Sequence, residues 1–203
     1  MGFYSNLIIP YCIDLAMSGS TLEQYRQQLL ADVTGEILEI GFGTGLNLPH
    51  YPPSVTKITT IDPNPGMRKL ARSRIEQSKI TVDYKVLSGE EVPLADESFD
   101  SIVCTWTLCS IPQVERAISE VYRLLKPTGK FYFIEHGLSR DAGVRVWQNR
   151  LTPIQKAIAD GCHLNRRIGH LVGQQFAGVT TEQFYAPKLP KVIGYMYRGI
   201  ATK

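Results

Sequence analysis

Glu36-Ile37-Leu38-Glu39-Ile40-Gly41-Phe42-Gly43-Thr44-Gly45, followed by Ile58-Thr59-Thr60-Ile61-Asp62, is the most informative part of this chain. The first apolar run ends in a carboxylate and breaks into glycines at alternate positions. The second ends in an aspartate 17 residues after Gly45. An apolar run of this length bounded by turn residues reads as a buried strand. The glycines read as a tight turn that lets a ligand approach the backbone. The residues after the turn can begin a helix whose amides face that ligand. Asp62 falls at the tip of the neighbouring strand, where a carboxylate can accept hydrogen bonds from two ribose hydroxyls. Together these residues describe a nucleoside-binding crevice.

Glycine spacing separates the candidate ligands. A dinucleotide fingerprint is Gly-x-Gly-x-x-Gly, with the third glycine packing helix against strand beside a pyrophosphate. Here the glycines are 41, 43 and 45, and position 46 is Leu. Glu39 stands just before them and suits a ligand carrying an amino group better than a pyrophosphate.

The rest of the chain sets the frame. Its 203 residues fit one domain with a small lid and suffice for a substantial core. Apolar residues make up 43% and charged residues 20%, an ordinary globular balance. A net charge of +3 with scattered Lys and Arg gives no basic stripe for nucleic acid. Cys12, Cys104, Cys109 and Cys162 show neither a C-x-x-C pair nor zinc-type His/Cys spacing, so no metal is expected. They read as buried free thiols of a cytoplasmic protein. The apolar segment from Leu7 to Met17 carries Pro10 and Asp14 and falls short of the about 20 apolar residues of a spanning helix. With no basic leader or cleavage site it is not expected to be a signal peptide. It reads as an amphipathic helix over the active site, with a peripheral membrane contact as the lesser reading.

Periodicity predicts helices at 5–18 and 21–32, a strand at 36–40, and a short helix starting near Thr44 and stopping before Pro49. Strands follow at 57–62, 80–87, 100–106 and 130–135, with helices at 65–77 and 113–126 between them. Helices at 142–159 and 165–176 and strands at 180–186 and 191–202 close the chain. Alternating strands and helices predict an α/β, doubly wound, mostly parallel seven-stranded sheet, with residues 1–33 as a helical lid and 34–203 as the main domain. The end of strand one, Asp62, the Gly89 loop, Thr105 and His136 then share one rim, where ligands of such sheets bind.

Glu-x-Gly-x-Gly-x-Gly with an acid ending the next strand resembles the first motif of the class I S-adenosylmethionine-dependent methyltransferases. Gly89-Glu90-Glu91-Val92-Pro93-Leu94-Ala95-Asp96-Glu97-Ser98-Phe99-Asp100 is similar to their A-E-x-L-P-F-x-D-x-S-F-D segment. The helix end Val121-Tyr122-Arg123-Leu124-Leu125-Lys126-Pro127-Thr128-Gly129 matches R-V-L-K-P-G-G, with Thr128 replacing a glycine. In the second half Thr107-Leu108-Cys109-Ser110, Glu135-His136-Gly137, Trp147-Gln148 and Asp160-Gly161-Cys162-His163-Leu164-Asn165-Arg166 resemble mammalian membrane-associated alkyl-thiol methyltransferases and their soluble bacterial relatives. No counterpart of the mammalian N-terminal anchor is expected here, so membrane attachment is not implied.

The resemblance implies a Rossmann-like fold, S-adenosyl-L-methionine as methyl donor, S-adenosyl-L-homocysteine as product and a small-molecule acceptor. It implies that Gly41, Gly43 and Gly45 approach the methionine and ribose portions, with Glu39 supporting a turn that includes Thr44 and Asn47. Asp62 would bind the ribose, Pro63 and Met67 would touch the adenine, Gly89 and Glu90 would flank its edge, and Thr105 would meet the amino-acid portion. Ser88 replaces a frequent aspartate, which shifts adenine recognition toward backbone groups. His136 is the candidate general base; its alternative is a hydrogen bond to Asp160 or the lid. Tyr11, Trp106, Asp160 and Arg166 are the candidate substrate-side residues, against packing for Trp106 and a solvated helix end for Asp160 and Arg166. A thiol is the acceptor expected; a quinol, phenol or amine, or a non-catalytic cofactor-binding regulator, are the alternatives.

Overall fold

The computed structural model describes residues 8–203, so the part of the first expected helix at 5–7 lies outside it. Two helices, α1 (Ile9–Met17) and α2 (Ser20–Leu30), precede the sheet. Strands β1 (Ile37–Ile40), β2 (Lys57–Ile61), β3 (Thr81–Lys85), β4 (Phe99–Thr105) and β5 (Leu125–His136) alternate with α3 (Pro65–Gln77) between β2 and β3 and α4 (Val114–Leu124) between β4 and β5. After α5 (Ala142–Ile158) and α6 (Ile168–Gln175) come β6 (Gly178–Tyr185) and β7 (Tyr195–Thr202). The seven strands lie in the order β3-β2-β1-β4-β5-β7-β6. The first five are parallel, and β7 runs antiparallel between β5 and β6. This is the doubly wound sheet expected.

Helices on both faces explain why β1 is buried along its whole length, with Glu39 the one polar residue among Ile37, Leu38 and Ile40. On α4, Val114, Ala117, Ile118, Val121 and Leu124 fall on one face and are all buried. Each large apolar side chain removed from water contributes about 1.5–3 kcal/mol. The helix stops where Leu125 turns extended, and β5 starts there, earlier than position 130. The extra residues are taken up as a bulge, since Phe99 pairs with Leu125 and Ser101 already with Lys130. Pro127 and Gly129 sit in that bulge, where a ladder hydrogen bond is not needed. At α3 the Asn64 side chain accepts from the Gly66 amide (2.9 Å), and Pro65 occupies the first turn, where its missing donor costs nothing.

Three expected elements change. No helix begins at Thr44. A single 3-10 turn, Leu48–His50, holds Pro49, and the glycines upstream keep the chain in left-handed conformations that no helix can use. The last strand begins at Tyr195 rather than 191, because the Ile193 and Gly194 amides fold back onto the Pro190 carbonyl at 3.0 and 2.8 Å. Residues 165–167 stay out of α6, with the Arg166 carbonyl accepting from the Leu138 amide at 2.7 Å. Helix α2 is joined to the sheet: Leu29, Leu30 and Val33 are buried against Ile37, Val103 and Tyr132.

Candidate active site

The sheet order reverses between β1 and β4, and the crevice opens beyond their carboxyl ends. Gly41, Gly43 and Gly45 all have positive φ (74°, 56° and 82°), conformations that side chains disfavour. Gly41 has a second reason for lacking a side chain. A Cβ there would stand 2.6 Å from Thr107 Cβ and closer still to its Oγ1 and Cγ2. At Gly43 a Cβ would meet nothing nearer than the Gly41 carbonyl at 3.9 Å, so its open side is free for a ligand to approach.

Asp62 closes this turn from the next strand. Its Oδ2 accepts from the Gly43 amide and its Oδ1 from the Asn64 amide, both at 2.8 Å. Burial raises its pKa to about 6, opposed by the two backbone hydrogen bonds and reinforced by the charge of Asp160. Asp160, exposed in the loop between α5 and α6, therefore lies on the same crevice.

Glu39 is buried and faces inward. It accepts from Asn47 Nδ2 at 2.8 Å and from the Tyr51 hydroxyl at 2.7 Å, and burial raises its pKa to about 7. Asn47 also donates to Thr105 Oγ1 at 3.1 Å, which ties the β1 turn to the end of β4. The buried Asn47 Oδ1 and Arg26 Nε have no hydrogen-bond partner among the described residues. A buried acceptor left open costs about 1–3 kcal/mol unless something fills it, so Asn47 Oδ1 beside the turn fits the donor group of a ligand. Gly89 is buried, with Ile40 and Ile111 in van der Waals reach of where its side chain would stand. Glu90 accepts from the Gln113 amide at 2.6 Å and so braces the start of α4. Met67 is buried on α3 and Pro63 is exposed beside it. Thr44 donates to Asp14 of α1 at 2.5 Å, and Arg74 of α3 donates to the same carboxylate at 2.8 and 3.2 Å. This places α1 against the glycine turn.

The remaining sequence candidates are placed differently. His136, at the end of β5, directs Nδ1 toward Cys162 Sγ at 3.8 Å. Trp106 packs with Arg26 over its ring and its Nε1 toward Met196 Sδ at 3.4 Å, which is the packing alternative. Arg166 is half-buried and donates to the Leu108 and Pro112 carbonyls, bracing the β4–α4 loop. Tyr11 is exposed on α1. A cavity of about 300 Å³ lined by Arg140, Arg145, Arg167 and His170 shares no residue with the glycine turn.

Sequence reasoning missed Glu135, Asp14 and Arg26. Fully buried Glu135 accepts from the Thr107 and Leu108 amides at 2.9 Å and from Cys109 at 3.1 Å, clamping the loop after β4. Its signal was an acid ending an apolar strand, the same signal that singled out Glu39. Arg26 occupies the apolar face of α2 with Leu22, Leu29 and Leu30, a mismatch that was visible in the pattern. Asp14 carried no such mark.

Residues 38–133 match the model of the methyltransferase domain family. Human thiol S-methyltransferase TMT1A is 41% identical over 172 residues, covering 82% of this chain and 70% of that protein. Rat thiol S-methyltransferase TMT1B is 43% identical over 64% of this chain, and the match spans 54%, about half, of its own length. Among solved structures, a SAM-dependent methyltransferase of Thermotoga maritima superposes with a TM-score of 0.66 at 21% identity, covering 98% of each chain. That likeness carries the fold, and the human relative carries the lineage. With a methyl-donor motif on a doubly wound sheet and this degree of identity, the chain belongs to the S-adenosylmethionine-dependent methyltransferase family.

Proposed function

We propose that this enzyme methylates a small thiol. The observation that carries the reading is the identity with human thiol S-methyltransferase TMT1A across 82% of the chain, which reaches beyond the cofactor half into the loops facing the crevice. Asp62, with a free lone pair on each oxygen, would accept the ribose hydroxyls of S-adenosylmethionine, and the open side of Gly43 would admit its methionine portion. Asn47 Oδ1 offers an acceptor for the amino group, and Glu39 holds Asn47 and Tyr51 in place rather than meeting the ligand. Gly41, Gly45 and Thr44 shape the turn. Met67, Pro63, Gly89, Glu90 and Thr105 would flank the adenine and amino-acid ends.

The bound cofactor supplies an activated methyl on a sulfonium. The protein then has to align a nucleophile and exclude water, and alignment of this kind is worth roughly 7–11 kcal/mol. A thiol with a pKa of about 8.5 is already a few per cent thiolate at neutral pH, so transfer needs no obligatory base. Nδ1 of His136 meets the Cys162 sulfur at 3.8 Å rather than Asp160, so the hydrogen bond to Asp160 has no support. Asp160 at the crevice, and Tyr11 on the exposed side of α1, remain the residues that would face the acceptor. Helix α1, held by Asp14, acts as the lid; exposed Ile8 and Leu15 at this end of the chain would serve a peripheral membrane contact. Among the described residues no helix is long and apolar enough to cross a membrane. The cytoplasm as its place rests on the cysteine pattern alone.

Incubation with methyl-labelled S-adenosylmethionine and a panel of alkyl thiols, aryl thiols, phenols, quinols and amines should give labelled thioethers. Label found only on oxygen, nitrogen or carbon would overturn the thiol assignment.

A further inference from the structure

Three donors that the chain keeps 26 and 53 residues apart converge behind the rim: Cys109 in the loop after β4, His136 at the end of β5 and Cys162 in the loop before α6. Cys109 Sγ and Cys162 Sγ are 3.5 Å apart, His136 Nδ1 is 3.8 Å from Cys162 Sγ, and one ring nitrogen and the two sulfurs all lie within 4.8 Å of one another. Tetrahedral zinc has bonds of about 2.3 Å to sulfur and about 2.0–2.1 Å to nitrogen, which sets S···S and S···N edges at about 3.5–3.8 Å. Two measured separations match those edges, and the third pair, Cys109 Sγ and the imidazole, lies within 4.8 Å and closes on the ion as it binds. A pair of cysteines in simple packing contact has no need of an imidazole at the third corner.

The surroundings hold the donors in place. Glu135 grips the amides of Thr107, Leu108 and Cys109. The Cys109 carbonyl accepts from the His163 amide at 2.8 Å and meets His163 Nδ1 at 3.1 Å, which joins the two cysteine loops. Gly161, with φ of 84°, lets the second loop lie against the Ser110 carbonyl, which would stand 3.0 Å from any Cβ there. Outer contacts of this kind orient first ligands and tune affinity.

We propose that Cys109, His136 and Cys162 form a Zn2+ site, with a small exogenous donor in the fourth tetrahedral position. Two thiolates and an imidazole are soft and borderline ligands, which select zinc over magnesium or calcium. On binding, two S–H bonds break, two Zn–S bonds form and both protons pass to solvent; the two thiolate charges balance the cation.

The test uses the full chain, reduced, stripped with chelator and titrated with Co2+. One equivalent should produce thiolate-to-cobalt charge-transfer absorption together with tetrahedral d–d bands, and Zn2+ should abolish both. C109S and C162S should lose the charge-transfer absorption, while C12S, which removes an exposed thiol, should keep it. H136A, at a half-buried position, serves if the cysteine variants do not fold, and should weaken cobalt binding by at least about tenfold. No charge-transfer band in the reduced chain, or a band that survives C109S/C162S or is unaffected by H136A, would overturn the site.

Discussion

Gly41 and Gly43 lack side chains for different reasons, and substituting each separates them. Gly41→Ala places a Cβ 2.6 Å from Thr107 Cβ in a backbone with φ of 74°. The left-handed conformation costs about 1–2 kcal/mol, and forcing a methyl into a filled space costs about 1–3 kcal/mol. The total of about 2–5 kcal/mol is a large part of the 5–15 kcal/mol that holds a typical domain folded. Thr107→Gly removes the three atoms nearest to the new methyl, Thr107 Oγ1, Cγ2 and Cβ. In G41A/T107G the overpacking part should therefore return, leaving a coupling of about 1–3 kcal/mol in the double-mutant cycle. Gly43→Ala should pay the conformational cost alone, about 1–2 kcal/mol, with no coupling to T107G. Its methyl instead projects into the open side of the turn, so it should weaken S-adenosylmethionine binding well beyond its effect on stability. Urea denaturation of the six proteins (wild type, G41A, G43A, T107G, G41A/T107G and G43A/T107G) measures both cycles, and calorimetry measures cofactor affinity. Equal destabilisation by G41A and G43A, with no coupling between G41A and T107G, would refute the account of why the turn has this sequence.

Two further outcomes follow from the charges. Glu39 has a pKa of about 7 in the folded chain against an ordinary 4.5, so between those values the folded state holds a proton that the unfolded state has released. Its contribution to stability must fall as pH rises through that window, by up to about 3 kcal/mol, and level off above it. Glu39→Gln should remove this slope; identical pH dependence of the urea midpoint in both proteins would contradict it. Asp14 behaves in the opposite sense: burial raises its pKa, but hydrogen bonds from Arg74 and Thr44 outweigh that and hold it below 3.8. Its bridge to the glycine turn is present above the ordinary value and lost as pH falls through the lowered one, and solvent screening limits it to about 1 kcal/mol. Asp14→Asn should speed hydrogen exchange across α1 at neutral pH while leaving α3 unchanged, and equal exchange in α1 would remove its anchoring role.

What could be read from residues alone was local in origin. Glycine at 41, 43 and 45 states a backbone requirement, and the isoleucine- and leucine-bearing segments at 36–40 and 57–61, bounded by turn residues, read as strands. Those two facts were enough to expect the sheet and a nucleoside crevice; the methyl donor came with the resemblance of the motif to the class I methyltransferases. The short helix after Thr44 was misread because periodicity cannot weigh three left-handed glycines against helix propensity. Where β7 inserts was equally out of reach, since an antiparallel strand reads the same wherever it pairs. The hydrogen bonds from Asn47 and Tyr51 to Glu39 depend on how the chain after the turn folds back over β1, which is a matter of packing.

The sequence by itself determined the fold class, the nucleoside crevice and Asp62 at its rim, because each follows from spacing within one strand-turn unit. Only the tertiary structure decided that Asp14 reaches Thr44 and Arg74, that Glu135 orders the loop after β4, and that Cys109, His136 and Cys162 share a corner. Those contacts join segments far apart in the chain, and only parallel crossovers and sheet order bring them within a few ångströms.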